Sequence, residues 1–206
     1  MALYRVKPTN MDETVARTVA RHTAPIPEKA AEVLSWGADE HLLIVLAAGF
    51  WLYARGRDER ARIASNHILL TTAVVALLPH LLKSIFDQER PDRTTIRGHF
   101  NGVPFSGKAL DAFPSGHAIH VGALASAATE LPPAERDAVW GIGAGVVLTR
   151  VALLAHWLSD VLAGLVIGAI VERLLRFWTG YGACEDNGHH SSSRLTIARG
   201  KQAGHE

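Results

Sequence analysis

Lys83, Arg90 and Arg150 are three cations set at the ends of apolar stretches. Charges at such positions are costly and are functional candidates by default. Between and beyond them lie "PSGH", Pro114 to His117, and "TRVALLAHWLSD", Thr149 to Asp160. Together these residues are the parts for handling a phosphoryl group. Three cations can surround three non-bridging oxygens, arginine with a planar fork and lysine with a compact point charge. Ser115 adds a hydroxyl donor, and the Ser115–Gly116 backbone at a helix N-terminus adds N–H groups and the favourable end of the dipole. His117 and His156 remain, one for a nucleophile and one to give a proton to the leaving oxygen. Asp160 stands one helical turn after His156, where it can hold one imidazole nitrogen and orient the other.

Such a set works only if the fold gathers the three stretches. The chain has 206 residues and is 48% hydrophobic, and one domain is the natural expectation at this length. Charges crowd into residues 1–40, 54–64, 87–111, 132–137 and 172–206. Five apolar blocks lie between them, at about 41–54, 67–86, 116–131, 138–156 and 160–178. This segregation predicts an all-α fold, a polytopic membrane helical bundle of about five transmembrane helices plus N-terminal amphipathic helices. The first block is short, since about 20 helical residues cross a hydrocarbon core, and it needs residues before His41. The third and fourth are rich in Gly and Ala, as where membrane helices approach closely.

Ahead of the blocks, Asn10 and Glu13 can cap a helix over 10–22 with Met11, Val15 and Val19 on one face. Pro25 and Pro27 break it, and "PEKAAEVLSW" gives a second short helix that Gly37 stops. The chain then divides into interfacial helices (1–40), a transmembrane core (41–178) and a polar tail (179–206). Pro91 reads as a stop that ends the second span and sets Arg90 back over the end carrying Lys83.

Arg55, Arg57, Arg60 and Arg62 fill the loop between the first two blocks, and Arg173, Arg176, Arg194, Arg199 and Lys201 close the last block and follow it. The positive-inside rule puts these ends, with the 132–136 turn, in the cytoplasm. The region after Lys83, the stretch before Gly116 and the join between Arg150 and Asp160 then share the opposite face. Arg17, Arg21 and Lys29 fall on that face too, against the rule. A net charge of +1 gives no reason to expect nucleic acid. The single cysteine, Cys184, excludes an intrachain disulfide and a cysteine-based zinc knuckle. Residues 1–29 lack the apolar core of a signal peptide.

Lys83…Arg90-Pro91, Pro114-Ser115-Gly116-His117 and Thr149-Arg150…His156…Asp160 resemble the three motifs of the type 2 phosphatidic acid phosphatase family, which shares a core with vanadium haloperoxidases and glucose-6-phosphatase. Thr149 stands where the family pattern has serine, which keeps a hydroxyl. The helices around the motifs extend the resemblance to about 41–178. It implies His156 as the nucleophile that forms a phosphohistidine, Asp160 as its orienting partner and His117 as the general acid. It implies Lys83, Arg90, Ser115, Gly116 and Arg150 as the phosphate cradle, and no metal or other cofactor. The expected partner is a lipid phosphate or diphosphate in the bilayer: an isoprenoid diphosphate, phosphatidate, phosphatidylglycerol phosphate or a polyprenyl-linked sugar phosphate. The expected setting is a bacterial inner membrane, with the site on the non-cytoplasmic face. The oligomeric state is left open.

Taken singly, the same residues have plainer readings. Lys83 and Arg90 suit snorkelling anchors, His117 a capping residue, and His156 with Asp160 a helix-end pair. Their joint occurrence favours the catalytic reading. His80 and His120 read as structural neighbours, and His189–His190 as solvated. Trp51, Tyr53, Trp140, Trp157 and Trp178 read as an interfacial aromatic belt, and Glu172 as paired with a neighbouring arginine. The alternatives are a haloperoxidase holding vanadate in the same cradle, or a non-enzymatic membrane protein with a degenerate site.

Overall fold

The computed structural model describes residues 3–22, 39–94 and 110–183. Among them run six helices: α1 Asn10–His22, α2 Glu40–Ala54, α3 Glu59–Ile85, α4 Gly116–Ala127, α5 Pro133–Ala152 and α6 Leu158–Thr179. Single helical turns stand at Pro91–Thr94 and Ala128–Glu130. Each of the five apolar blocks is a helix, with shifted boundaries. The first block gains only Glu40, with Asp39 as its cap; the expected second amphipathic helix, which falls within residues 23–38, and the tail from Cys184 lie outside the described residues.

Among the described residues one helix, α3, is long and apolar enough to cross a membrane, and α2 is apolar but shorter. The other expected crossings do not meet that measure. α4 has 12 residues, α5 opens on Glu135, Arg136 and Asp137, and α6 carries Glu172, Arg173 and Arg176. The outward faces of α5 and α6 are nonetheless apolar, with Ile142, Leu148, Leu162, Val166, Ile170 and Phe177 exposed.

The core forms around α4. Val75 of α3 meets Ile119 and Ala123, while Val146 and Val147 of α5 meet Ala118 and Val121. Contact with α6 is closest of all. A Cβ on Gly122 would lie 2.1 Å from the Leu165 carbonyl oxygen, and one on Gly168 2.0 Å from that of Ile119. Only glycine fits where two helix backbones approach this closely.

Two helix ends differ from expectation. α1 is capped by Thr9, whose hydroxyl accepts from the Asp12 amide at 3.2 Å while the Asp12 carboxylate accepts from the Thr9 amide at 2.8 Å. This is a capping box one residue ahead of the expected Asn10–Glu13 pair. The buried face is consequently Asp12 and Ala16, and Met11 is exposed. Likewise Pro91 does not stop α3. The helix ends at Ile85 because Phe86–Asp87 (β2) turns away to pair in parallel with Tyr4–Arg5 (β1). Pro91 instead opens the turn Pro91–Thr94, a first-turn position that its missing N–H suits.

The up-and-down course puts the N-terminus of α2, the C-termini of α3 and α5, and the N-termini of α4 and α6 at one end. The other end is closed by a buried polar network. His67 is fully buried; its Nε2 lies 3.0 Å from Glu172 Oε1 and its Nδ1 2.8 Å from Thr179 Oγ1. Arg176 and Ser126 donate to the same Glu172 carboxylate, and Arg176 also pairs with Glu130. The expected arginine partner of Glu172 is present, within a larger set.

Candidate active site

At the first end the three motifs meet. Lys83 lies in the last turn of α3 and reaches Asp111 Oδ2 at 3.3 Å. Arg90 is buried and donates to the carbonyls of Ala155 and Asp111, each at 3.4 Å. Gln88 is tied to residues 110–112, its N–H to Leu110 O and its carbonyl to Ala112 N–H, both 3.1 Å. That tie places the entry to α4 beside Arg90.

The join between α5 and α6 is not helical. α5 ends at Ala152, and Leu154 takes a φ of 52°, left-handed and rare for a leucine. The Arg150 carbonyl accepts from both Ala155 N–H (3.1 Å) and His156 N–H (3.3 Å). The chain thereby folds back and sets His156 against Arg150, while Asp92 N–H holds the Leu154 carbonyl at 3.1 Å. Trp157, expected in an interfacial belt, is buried here instead. Its indole donates to Glu89 O at 2.7 Å, and it packs with Ala16, Ala112 and Leu154.

A cavity of about 230 Å³ opens among these elements, lined by Lys83, Arg90, Gly116, His117, Arg150 and His156, with Asp39, Glu40, His80 and His120 on its remaining wall. Ser115 and Asp160 are fully buried, joined to each other where Ser115 N–H reaches Asp160 O at 3.4 Å. Ser115 Oγ has no hydrogen-bond partner. Thr149 turns its hydroxyl onto Val146 O of its own helix at 2.6 Å.

The expected His156–Asp160 hydrogen bond is absent. Asp160 Oδ2 is 4.0 Å from His156 Nδ1, beyond hydrogen-bond range, and accepts from Trp157 N–H at 2.9 Å. The sequence spacing misleads because His156 sits before α6 rather than a turn along it. The ring is held by a backbone group: His156 Nδ1 lies 2.7 Å from Ala112 O. A carbonyl only accepts, so Nδ1 carries the hydrogen and Nε2 the lone pair. Burial, then Arg150 and Arg90, keep the imidazole pKa well below its ordinary 6.5, outweighing the Ala112 bond. A neutral imidazole with a defined tautomer therefore faces a cavity ringed by three cations.

Several residues here escape a reading of the sequence. Ala112 acts through its backbone, which no residue type betrays. Asp12 can be suspected as a cap from the Thr9-x-x-Asp12 pattern. Nothing local shows that it also accepts from Ser159 N–H and Oγ, both at 2.8 Å, in the first turn of α6. Asp39 and Glu40 carry no signal beyond helix capping.

Comparison with known proteins follows this geometry. The PAP2 superfamily model matches residues 64–182, which hold all three motifs. A lipid A 1-phosphatase of Rhizobium johnstonii is 34% identical over 160 residues, 71% of this chain and 66% of the relative. A lipid A 1-phosphatase of Rhizobium etli is 39% identical over 126 residues, 59% of this chain and 54% of the relative. The chain thus spans only about half to two thirds of these relatives' lengths. Among solved structures, Aquifex aeolicus LpxE shares the fold with a TM-score of 0.63 at 17% identity, covering 84% of this chain and 98% of that one. The first transmembrane PAP2 type phosphatidylglycerolphosphate phosphatase of Bacillus subtilis gives 0.57 at 21% identity, covering 81% and 83%. With its motifs gathered round one cavity and the matched segment taking in every one of them, the chain belongs to the PAP2 superfamily.

Proposed function

We propose that the protein is an integral membrane phosphatase that removes a phosphate from a lipid, and that its substrate is a lipid A-type glycolipid 1-phosphate, as the names of its relatives suggest. The observation that carries the chemistry is the His156–Ala112 hydrogen bond, which leaves Nε2 as the nucleophilic nitrogen. Nε2 attacks phosphorus while Lys83, Arg90 and Arg150 take up the charge on the non-bridging oxygens. The bond to the lipid oxygen breaks, and His117 supplies that oxygen with a proton. Water then cleaves the phosphohistidine and restores His156. Asp160 supports this step indirectly, by fixing the Trp157 amide at the start of α6. The cradle cations supply the charge that a metal would otherwise bring, so the reaction runs without one.

The apolar outer faces of α5 and α6 support a bilayer setting, and so does the length of α3. The arginine-rich Arg55–Arg62 loop lies at the opposite end from the site, which favours a site on the non-cytoplasmic side of the inner membrane. The test is phosphate release by purified protein from lipid A, phosphatidate, phosphatidylglycerol phosphate and an isoprenoid diphosphate, with EDTA and with vanadate. Release from lipid A that resists EDTA and yields to vanadate is expected. Activity lost in EDTA and restored by magnesium overturns the metal-free reading.

A further inference from the structure

Besides its cations, the cavity is lined by Asp39, Glu40 and His120. His120 is buried, with Nδ1 3.0 Å from Gly116 O. That carbonyl accepts, so Nδ1 carries the hydrogen and Nε2 is left as an acceptor. Among the described residues Nε2 has no hydrogen-bond partner. Buried acceptors are nearly always paired, and an orphan on a cavity wall calls for a donor from a ligand. Beside it stand Asp39 and Glu40 at the start of α2. Asp39 spends Oδ1 on the amides of His41 and Leu42. Glu40 lies 3.7 Å from His80 and is partly exposed.

We propose that Glu40, Asp39 and His120 form a subsite that accepts hydrogen bonds from hydroxyl or amide N–H groups on the alcohol half of the substrate, the part esterified to the phosphate. The proposal rests on the phosphatase reading above and narrows its substrate class. An amido sugar carries such donors next to its phosphate. The glyceryl diester half of phosphatidate offers acceptors only and would leave the wall unpaired. A second phosphate would press its negative charge against Glu40 and Asp39, which disfavours diphosphates. An ammonium group is a poor match, since Lys83, Arg90 and Arg150 share the same cavity. Neutral donors suit both walls. Asp39 and Glu40 precede the matched segment 64–182, and His120 lies within it but outside the three motifs.

The experiment compares wild type, Glu40→Gln and His120→Ala on lipid A, phosphatidate and p-nitrophenyl phosphate, using the full chain in detergent. Each variant is expected to lose about tenfold or more in kcat/KM on lipid A, because the amide-and-hydroxyl-bearing substrate loses an acceptor. On phosphatidate and p-nitrophenyl phosphate both are expected to stay within about twofold of wild type. His120 is a core residue, so its variant is read as the ratio between substrates, which a general loss of folded protein does not move. Equal losses on all three substrates overturn the subsite while leaving the phosphatase reading intact. Wild type preferring phosphatidate to lipid A also overturns it. Wild type that releases phosphate from none of the three overturns the phosphatase reading and the subsite with it.

Discussion

Asp12→Ala is expected to cost stability and turnover together, although Asp12 belongs to none of the three motifs. Its carboxylate is buried and accepts four hydrogen bonds at 2.8 Å, from the amide and hydroxyl of Thr9 and from the amide and hydroxyl of Ser159. The Thr9 pair is the reciprocal half of the α1 capping box: alanine keeps the Thr9 hydroxyl on the residue-12 amide but loses the carboxylate half, worth about 0.5–1.5 kcal/mol. The Ser159 pair serves α6. That helix has Trp157 at its N-cap, with no side-chain cap bond, so Asp12 of α1 takes the place of the missing acceptor. An amide left orphaned there costs about 1–3 kcal/mol. Together the loss should be about 2–4 kcal/mol. Because α6's first turn carries Asp160 and follows His156 directly, kcat should fall more than KM rises.

Burial raises the Asp12 pKa, but the bonds from Thr9 and Ser159 outweigh it and hold it below its ordinary 3.8. Asp12's contribution to stability is therefore fully present at neutral pH and is lost as pH falls below 3.8 and through the folded-state value. Reversible unfolding in mixed micelles and steady-state kinetics measure both effects. Asp12→Asn should fall between wild type and alanine, since the amide keeps one acceptor and turns N–H groups toward other donors. A double-mutant cycle with Ser159→Ala should show coupling of about 0.5–3 kcal/mol. An Asp12→Ala protein within about 0.5 kcal/mol of wild type, with no coupling to Ser159, would refute the reasoning.

His156→Ala should abolish turnover on lipid A and on p-nitrophenyl phosphate alike. His117→Ala should lose about 10²–10⁴-fold on lipid A and recover in part on p-nitrophenyl phosphate, whose leaving group needs little proton assistance; phosphoenzyme trapped in the His156 variant but not in the His117 variant would exchange the two roles. The lowered pKa of His156 keeps its imidazole unprotonated at pH 6.5, so the kcat/KM limb due to its protonation should lie below that pH. Glu172→Ala should destabilise by about 1–3 kcal/mol or more, because it leaves the buried His67 Nε2 and the Ser126 hydroxyl without their partner, while Arg176 keeps Glu130. The folded fraction of that variant should keep its turnover, since the network lies at the end of the bundle away from the cavity.

The helices are legible because their signals are local. Apolar runs and the Gly and Ala content of the third and fourth blocks are read within a few residues of where they act. The candidate site residues are legible for the same reason, since three short motifs carry them whole. A local rule fails where it is carried past a helix end. The i,i+4 spacing assigns Asp160 to His156, yet α5 stops at Ala152 and a leucine in the left-handed region breaks the register. Pro91 reads as the stop of α3, yet a two-residue pairing with residues 4–5 ends the helix at Ile85.

The remaining gaps share one physical cause. The site is held by contacts between residues far apart in sequence, and their partners are either backbone atoms or ordinary capping residues. His156 is oriented by a carbonyl 44 positions back, and Ser159 by a carboxylate 147 positions back. A carbonyl is present at every residue, and an aspartate three residues after a threonine already has a complete local explanation in its own helix cap. Nothing in either stretch signals the second role. Motifs thus name the groups that line the cavity and are proposed to hold a phosphoryl, because such chemistry restricts residue type. The positioning groups are unrestricted in type and fixed only by geometry. α1 therefore reads as an interfacial helix in the sequence, and in the fold becomes the clamp on the first turn of α6.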